Sequence, residues 1–292
     1  MKKRIVVGIV AVGLIVGLSL ALANGMLGSG NTSNHRPQAE QTPAPVAASD
    51  AGASEPQPET RPEAPAVAAG LAEAAMEQAA KENKYLFAVF WQSEDEQSDS
   101  MKQVVSEAVA KMPERAVSVA VPVTDPAESA LVEKFGLHRA PMPLVLAIAP
   151  SGAVTGGFPR HCTEEDLLDA FVSPAAEQTM KALQDEKLVL LCVQNSSTQQ
   201  NEEAMRGVDA FLDDPRFGAA TTRVILDPTD GAEAPFLSDL QIDPGQEVAK
   251  TLMLVPPGSI VASLEGATTK EDFLAALRSG LRGCGPMGCG PR

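Results

Sequence analysis

The clearest pattern of apolar and polar positions lies between residues 142 and 172. An apolar run at residues 144–149 is followed by Pro-Ser-Gly, a second strand-like run, and a segment that opens with Thr163. Turn residues between two such runs predict a β-hairpin, and Thr followed three residues later by Asp predicts the start of a helix. The stretch therefore predicts a strand, a tight turn, a strand and a capped helix.

The same pattern returns 106 residues later without a gap. The matching residues of the first copy are Leu146, Pro150, Gly152, Thr163, Glu165, Asp166, Leu168 and Ala170, and those of the second are Leu252, Pro256, Gly258, Thr269, Glu271, Asp272, Leu274 and Ala276. Because apolar, turn and capping positions match together, the sequence indicates a repeated folding unit. We predict two copies of one domain.

Upstream of this hairpin, the first copy alternates between helical and strand periodicity. The predicted elements are an Ala-rich helix at 71–81, a strand buried on both faces at 84–91, a helix through Met101 and Met112, an alternating strand at 117–123 and a short helix at 127–135. The candidate N-caps of the second helix are Ser98, Asp99 and Ser100. The order is helix, strand, helix, strand, helix, strand, strand, helix.

The second copy repeats this order, and its first strand is offset by 103 residues rather than 106. Its predicted helices lie at 175–186, at 202–212, as a short helix within the loop region 227–245, and from Thr269. Its predicted strands lie at 187–194, 220–226, 251–255 and 260–264. Beyond residue 281 the predicted fold is complete.

The N-terminus predicts a membrane-directed segment. Three basic residues precede an uncharged apolar run at residues 5–23, which as a helix is long enough to cross roughly 30 Å of hydrocarbon. Two interpretations remain open: a retained signal anchor, or a signal peptide cleaved after Ala21-Leu22-Ala23. Either one places the rest of the chain in a bacterial periplasm or its equivalent, and the anchor makes it a single-pass inner-membrane protein.

Residues 24–66 are rich in Pro, Ala, Ser, Gln and Glu and contain almost nothing to bury, so they predict a disordered linker. The predicted boundaries are 1–23 for the anchor or signal peptide, 24–66 for the linker, 67–174 and 175–280 for the two copies, and 281–292 for a tail.

The element order, Phe90-Trp91 before a polar loop, and Met142-Pro143 before the hairpin together resemble the thioredoxin-like superfamily. The resemblance covers roughly residues 67–280. It implies an α/β fold with two tandem thioredoxin-like domains, each with a mixed central sheet flanked by helices. In that family, the first strand leads into Trp-Cys-x-x-Cys at a helix N-terminus, where unpaired N–H groups and the helix dipole stabilise a thiolate.

This sequence lacks that dithiol. Counted from Phe90-Trp91, the two cysteine positions fall on Asp95 and Ser98, and the second copy has no cysteine at residues 195–200. We therefore expect no dithiol exchange at the usual site of either copy, and no catalytic residue there.

Met142-Pro143 matches the position of the cis proline in the family. A cis X-Pro bond is uncommon enough to imply a specific role. Two roles remain open: shaping the approach to the next strand, or forming a peptide-binding edge at Met142 and Pro143. The aligned residue of the second copy is Ala249, so the second copy lacks the feature.

Two cysteines lie within the predicted domains. Cys162, beside His161, is either an activated redox thiol near the cis-proline edge or a half-buried residue before a helix cap. Cys192 lies inside a Leu/Val strand and is predicted to be an inert core residue.

The other two cysteines, Cys284 and Cys289, lie in a Gly/Pro-rich tail. They suit a small redox-active disulfide, a soft-metal site for an ion such as copper(I) with the Met287 thioether as a third ligand, or disulfides between chains. The alternative is passive oxidation outside the cell. No other cofactor is predicted.

The composition limits the classes of partner that the chain can bind. A formal net charge of −15 argues against nucleic acid, since a phosphate-binding face needs clustered Lys and Arg. We expect a protein or peptide partner, and contact with the membrane through residues 5–23. Two functions remain open: a non-catalytic, membrane-tethered binding or scaffold protein outside the cytoplasm, or a thiol-disulfide oxidoreductase or soft-metal carrier that uses Cys284 and Cys289.

Overall fold

A computed structural model describes residues 70–282. The helices are α1 (Leu71–Lys81), α2 (Glu96–Ala110), α3 (Ser129–Lys134), α4 (Glu164–Asp169), α5 (Pro174–Gln184), α6 (Asn201–Leu212), α7 (Ala234–Asp239) and α8 (Lys270–Arg282). The strands are β1 (Tyr85–Trp91), β2 (Ala116–Pro122), β3 (Leu144–Ile148), β4 (Val154–Pro159), β5 (Leu188–Val193), β6 (Thr221–Leu226), β7 (Lys250–Val255) and β8 (Ser259–Glu265). The predicted anchor, linker and cysteine tail lie outside the described residues.

The strands form two four-stranded mixed sheets of the same topology. The first has the order β2-β1-β3-β4, in which β1 and β2 are parallel and the two other pairings are antiparallel. The second has the order β6-β5-β7-β8 with the same directions. This order, with helices between the strands, is that of two tandem thioredoxin-like domains, which confirms the predicted fold. We call the domains built on these sheets domain 1 and domain 2.

Each sheet is covered by a core on both faces, because its two central strands are apolar on both sides. In β1, six of the seven residues are buried, as the unbroken apolar run predicts. One core of domain 1 joins Phe87 to residues of α2 and α4, and the other joins Phe90 to residues of α1 and α3. Domain 2 has the same pair of cores on the two faces of its sheet.

The helix starts show where the sequence pattern was informative and where it was not. Thr163 makes the predicted capping box with Asp166, and Thr269 and Asp272 form the matching bonds in domain 2. The N-caps predicted for α2 are wrong, because that helix begins at Glu96 and Asp95 is its N-cap. The first turn of α2 is polar, so the apolar spacing marks only the part of the helix that faces the core.

Helix α5 contacts both domains. It lies against β5 and β6, as α1 lies against β1 and β2, and its other side reaches β4 of domain 1. The Gln184 carboxamide pairs with both backbone groups of Val154, accepting from its N–H at 2.8 Å and donating to its carbonyl at 2.7 Å. The Glu177 carboxylate accepts from the Ser151 N–H at 3.1 Å. A side chain of α5 therefore covers part of the outer edge of β4.

Candidate functional site

The N-terminus of α2 is where the resemblance implies a dithiol, and Asp95 and Ser98 stand there instead. The Asp95 Oδ1 atom accepts a hydrogen bond from the Ser98 backbone N–H at 2.8 Å, and the Ser93 hydroxyl donates to Oδ2 at 3.0 Å. These bonds, from Ser98 first and then Ser93, hold the pKa of Asp95 below its usual range, so the carboxylate is ionised at neutral pH. The start of α2 is therefore closed by its own cap and carries no thiol.

The peptide bond between Met142 and Pro143 is cis, as predicted. The Pro143 carbonyl accepts a hydrogen bond from the Arg160 N–H at 2.6 Å, and the Arg160 carbonyl accepts one from Gln97 Nε2 at 2.9 Å. Arg160 therefore connects the proline segment to the first turn of α2. Its φ of 66° lies in the left-handed region, which is uncommon for a residue with a side chain.

Met142 offers unpaired backbone groups at this point. Among the described residues, neither its N–H nor its carbonyl takes part in a hydrogen bond, and Pro143 has no N–H to donate. Unpaired backbone groups at the end of a sheet can accept an extended chain by main-chain pairing. We call Met142 and Pro143 together the Met142 edge.

Two cavities flank the Met142 edge. The larger, of about 520 Å³, is lined by residues that include Asp95, Gln97, Val104, Arg160, His161 and Cys162. The smaller, of about 200 Å³, is lined by residues that include Val123, Val132, Leu137, His138, Ala140 and Met142. Cys162 belongs to the core under α2 and α4, and Leu137 to the core under α1 and α3, so the cavities lie on opposite faces of the sheet.

Cys162 does lie beside the cis-proline segment, as the sequence suggested, but its thiol is not activated. It is only 3% exposed, and burial, with a further contribution from Asp166, raises its pKa to about 11. The thiol therefore stays protonated at neutral pH. Cys192 is also buried, as predicted, and burial raises its pKa to about 11. These surroundings disfavour the redox role considered for Cys162.

The aligned edge of domain 2 is occupied by the chain's own loop. Val248 forms a parallel bridge with Gln199. The Gln199 N–H donates to the Glu247 carbonyl at 2.8 Å, and the Gln199 carbonyl accepts from the Ala249 N–H at 2.9 Å. Domain 1 cannot form the second of these bonds, because Pro143 stands where Ala249 provides a donor.

The loop that closes domain 2 is itself held by a network of side-chain hydrogen bonds around Asn195. The Asn195 Nδ2 atom donates to Asp227 at 2.8 Å and to Thr229 at 3.1 Å, and its Oδ1 atom accepts from the Ser197 backbone N–H at 2.9 Å. The Asn201 carboxamide donates to the Asn195 carbonyl at 2.6 Å. The loop therefore satisfies its own polar groups.

In domain 2, the two residues aligned with walls of the larger cavity pack directly against each other. Gly207 of α6 lies so near the segment after β8 that a Cβ on it would be 2.3 Å from the Thr268 carbonyl oxygen. The aligned residues of domain 1 are Val104 and Cys162, and both line the larger cavity. The two domains thus differ on both sides of the same edge.

Three residues of this site were not identified from the sequence: Gln97, Ala140 and Arg160. Gln97 aligns with Gln200, and both side chains reach across to the segment after the last strand of their domain. Aligning the two copies position by position would have drawn attention to this pair. The candidates Cys284, Cys289 and Met287 lie outside the described residues, so their redox and metal roles stay predictions.

Two findings concern the membrane and metals. None of the helices within residues 70–282 has the length and apolar character needed to cross a bilayer. Within the same part of the chain, His, Cys, Asp and Glu side chains form no group of three placed to hold a metal ion. The predicted span at residues 5–23 lies outside that range.

No family model matches the chain, and no curated protein matches it. Among solved structures, the chain is similar to the first two thioredoxin domains of Saccharomyces cerevisiae Eps1p, with 12% identity over 77% of this chain and 99% of that one and a TM-score of 0.25. It is also similar to the NTD_N/C domain of the alkylhydroperoxide reductase AhpF from Enterococcus faecalis, with 13% identity over 70% and 98% of the two chains and a TM-score of 0.24.

A third similar structure is the zinc-bound form of human ERp44, with 10% identity over 75% of this chain and 61% of that one and a TM-score of 0.30. These TM-scores are low, and the thioredoxin-like fold rests on the strand order and strand direction of both domains and, in domain 1, on the cis proline.

Proposed function

We propose that this chain is a non-catalytic protein-binding module held at the outer face of a membrane, and that domain 1 binds an extended peptide segment of its partner at the Met142 edge. One observation carries the proposal. The same edge is filled by Gln199 in domain 2 and left unpaired in domain 1. The bridge in domain 2 supports the proposal, because there main-chain pairing with Gln199 occupies the position aligned with Met142.

Main-chain pairing is the expected mode of binding, because Met142 supplies one donor and one acceptor in line with the end of the sheet. Two net hydrogen bonds contribute about 1–3 kcal/mol, whereas micromolar affinity requires about 8 kcal/mol. Side-chain contacts in the neighbouring cavities must therefore supply most of the affinity.

The tether is part of the proposal. Residues 5–23 would remain in the membrane as the anchor, and residues 24–66 would act as a flexible spacer. A chain of that length reaches roughly 40 Å or more from its attachment point. This distance would let domain 1 meet partners that are not themselves embedded in the membrane.

The second function, a thiol-disulfide oxidoreductase or soft-metal carrier, would have to use Cys284 and Cys289. The two cysteines within the described residues are buried and have raised pKa values. Any thiol chemistry of this chain would therefore have to use Cys284 and Cys289. Replacing both tail cysteines with Ser separates the proposals, because peptide binding would persist while electron transfer or copper binding would be lost.

Peptide binding is tested by selecting ligands with the full-length protein in detergent micelles from a displayed library of random peptides. A selected peptide is then synthesised, and its footprint is mapped by hydrogen exchange. We expect slower exchange of the Met142 amide and of residues 137–144, with no change at residues 247–249. Failure to enrich any peptide, or protection away from the Met142 edge, would overturn the proposal.

A further inference from the structure

The smaller cavity beside the Met142 edge has the properties of a pocket for one side chain. Its volume is about 200 Å³, and five of its eight lining residues are apolar: Val123, Val132, Leu137, Ala140 and Met142. The other three are Gln92, Thr124 and His138. Pockets for drug-sized ligands measure about 300–1,000 Å³, whereas apolar cavities of about 150 Å³ hold a benzene ring. The volume therefore suits a single apolar side chain. We call this cavity the Ala140 pocket.

Comparison with domain 2 explains why the pocket is open. The residue aligned with Ala140 is Gln246, whose Nε2 atom donates to the carbonyl of Val193 at the end of β5 at 3.0 Å. That carboxamide takes up space at the end of the sheet that the methyl group of Ala140 leaves empty. The small residue at this position therefore contributes to the open space in domain 1.

The pocket and the unpaired backbone share Met142. Successive side chains of an extended chain point to opposite sides of a sheet. A peptide paired with the Met142 backbone would therefore direct one side chain toward the Ala140 pocket and its neighbours toward the opposite face, where Arg160 and His161 line the larger cavity.

We infer that the Ala140 pocket receives one aliphatic side chain of the bound peptide and thereby selects the partner segment. This inference rests on the proposed peptide binding at the Met142 edge. The expected ligand is an extended peptide that carries Leu, Ile, Val or Met at the position facing the pocket. Burial of such a side chain against the apolar residues of the pocket accounts for about tenfold to a hundredfold in affinity.

The test is a double-substitution cycle with the peptide selected by the full-length protein. Replacing the aliphatic peptide residue with Ala should weaken binding at least tenfold. The protein variant Ala140→Gln, which introduces the side chain present in domain 2, should weaken binding of the parent peptide to a similar degree. It should scarcely change the affinity for the Ala-substituted peptide, since that peptide has no aliphatic side chain to place in the pocket.

Two further variants test whether the effect is specific to the Ala140 pocket. Met142→Ala keeps the backbone edge but removes part of the pocket wall, so it should also weaken the parent peptide if the pocket is used. Gln246→Ala enlarges the matching space in domain 2, where Gln199 still covers the edge, and should leave affinity unchanged. Thermal unfolding of each variant must match the parent protein before affinities are compared.

The outcomes separate the two proposals. If Ala140→Gln binds the parent peptide normally while the exchange footprint at Met142 persists, the pocket inference is wrong and the proposed function stands. If the footprint at Met142 is missing, both fail. Strict additivity of the two substitutions in the cycle would also overturn the pocket inference.

Discussion

At the cis-proline end of domain 1, the backbone of Met142 is unpaired, whereas in domain 2 the aligned Val248 is bridged to Gln199 of the same domain. The sheets have the same strand order, so the difference does not come from the fold. It comes from a few aligned side chains: Pro143 against Ala249, Val104 against Gly207, and Ala140 against Gln246. Small substitutions around a shared scaffold decide whether its edge is open or closed.

Gly266 shows the same principle. It aligns with Arg160, and a Cβ at this position would lie 2.1 Å from Gln200 Oε1. The absence of a side chain lets the Gln200 carboxamide reach the Ala267 N–H at 3.0 Å. In domain 1, Gln97 instead donates to the Arg160 carbonyl, and the Arg160 side chain stands exposed at the rim of the larger cavity.

The largest expected effect comes from giving domain 2 a side chain of domain 1. Gly207→Val would place a Cβ 2.3 Å from the Thr268 carbonyl oxygen, so α6 or the facing segment must move. We expect a loss of about 2–3 kcal/mol in the free energy of unfolding of domain 2. Urea unfolding followed by far-UV circular dichroism measures this loss, while the fluorescence of Trp91, the only tryptophan, reports on domain 1.

The reverse change, Val104→Gly, is the matched control. It removes a half-buried side chain and places Gly inside a helix, which costs about 1 kcal/mol without any steric conflict. If Gly207→Val unfolds at the same urea concentration as the parent protein, close packing is not what closes domain 2.

The next effect concerns an ion pair found at the same aligned positions of both domains, with the acidic and basic residues exchanged. In domain 1, Lys111 pairs with Glu164, and both side chains are well exposed. In domain 2, the aligned pair is Asp214 with Lys270, and the Asp214 side chain is only 3% exposed. Bonds from Arg216 and then Lys270 hold the pKa of Asp214 well below its usual range.

Because the folded pKa of Asp214 is depressed, its contribution is complete above its unfolded pKa of about 3.9 and is lost as the pH falls through the folded value. We expect domain 2 to lose stability progressively below about pH 4. Asp214→Asn should lower stability at neutral pH and remove this part of the acid dependence. Lys111→Met should cost about 0–1 kcal/mol, as exposed ion pairs do. Thermal midpoints of both variants measured down to about pH 3 check the prediction, and equal effects would contradict it.

A small effect is expected from transferring the proline to domain 2. Ala249→Pro removes the N–H that donates to the Gln199 carbonyl at 2.9 Å, at a cost of about 1 kcal/mol. The loop before α6 should then open more often, and the Gln199 amide should exchange faster with solvent. Amide-resolved hydrogen exchange measures this rate. Unchanged exchange at Gln199 would show that the Asn195 network alone holds the loop.

The sequence was sufficient for the architecture, because the buried strands are continuous apolar runs and the helix caps are local signals. Thr163 and Thr269 cap the starts of their helices as predicted, and the Met142-Pro143 bond is cis as predicted. The absence of the dithiol could also be predicted, since it follows directly from the positions of the cysteines in the sequence.

Whether the edge of each domain is unpaired or occupied could not be predicted in the same way. It depends on which residues meet across long separations, such as Gly207 with Thr268 or Gln246 with Val193, and neither pair has a local signature. Asp95 was missed as a cap because the first turn of α2 faces solvent. The cysteine tail and the membrane span remain sequence predictions, since they lie outside residues 70–282.

Helix α5 has a consequence for the order in which the chain can become stable during synthesis. All four strands of domain 1 have been made by residue 159, yet the Val154 backbone groups at the outer edge of β4 are paired only when Gln184 arrives. Until then, the edge presents unpaired backbone groups to any neighbouring chain, as exposed sheet edges do. A fragment cut at the predicted boundary, residue 174, would leave the Val154 groups exposed permanently, whereas one cut after residue 184 would retain the side chain that pairs with them.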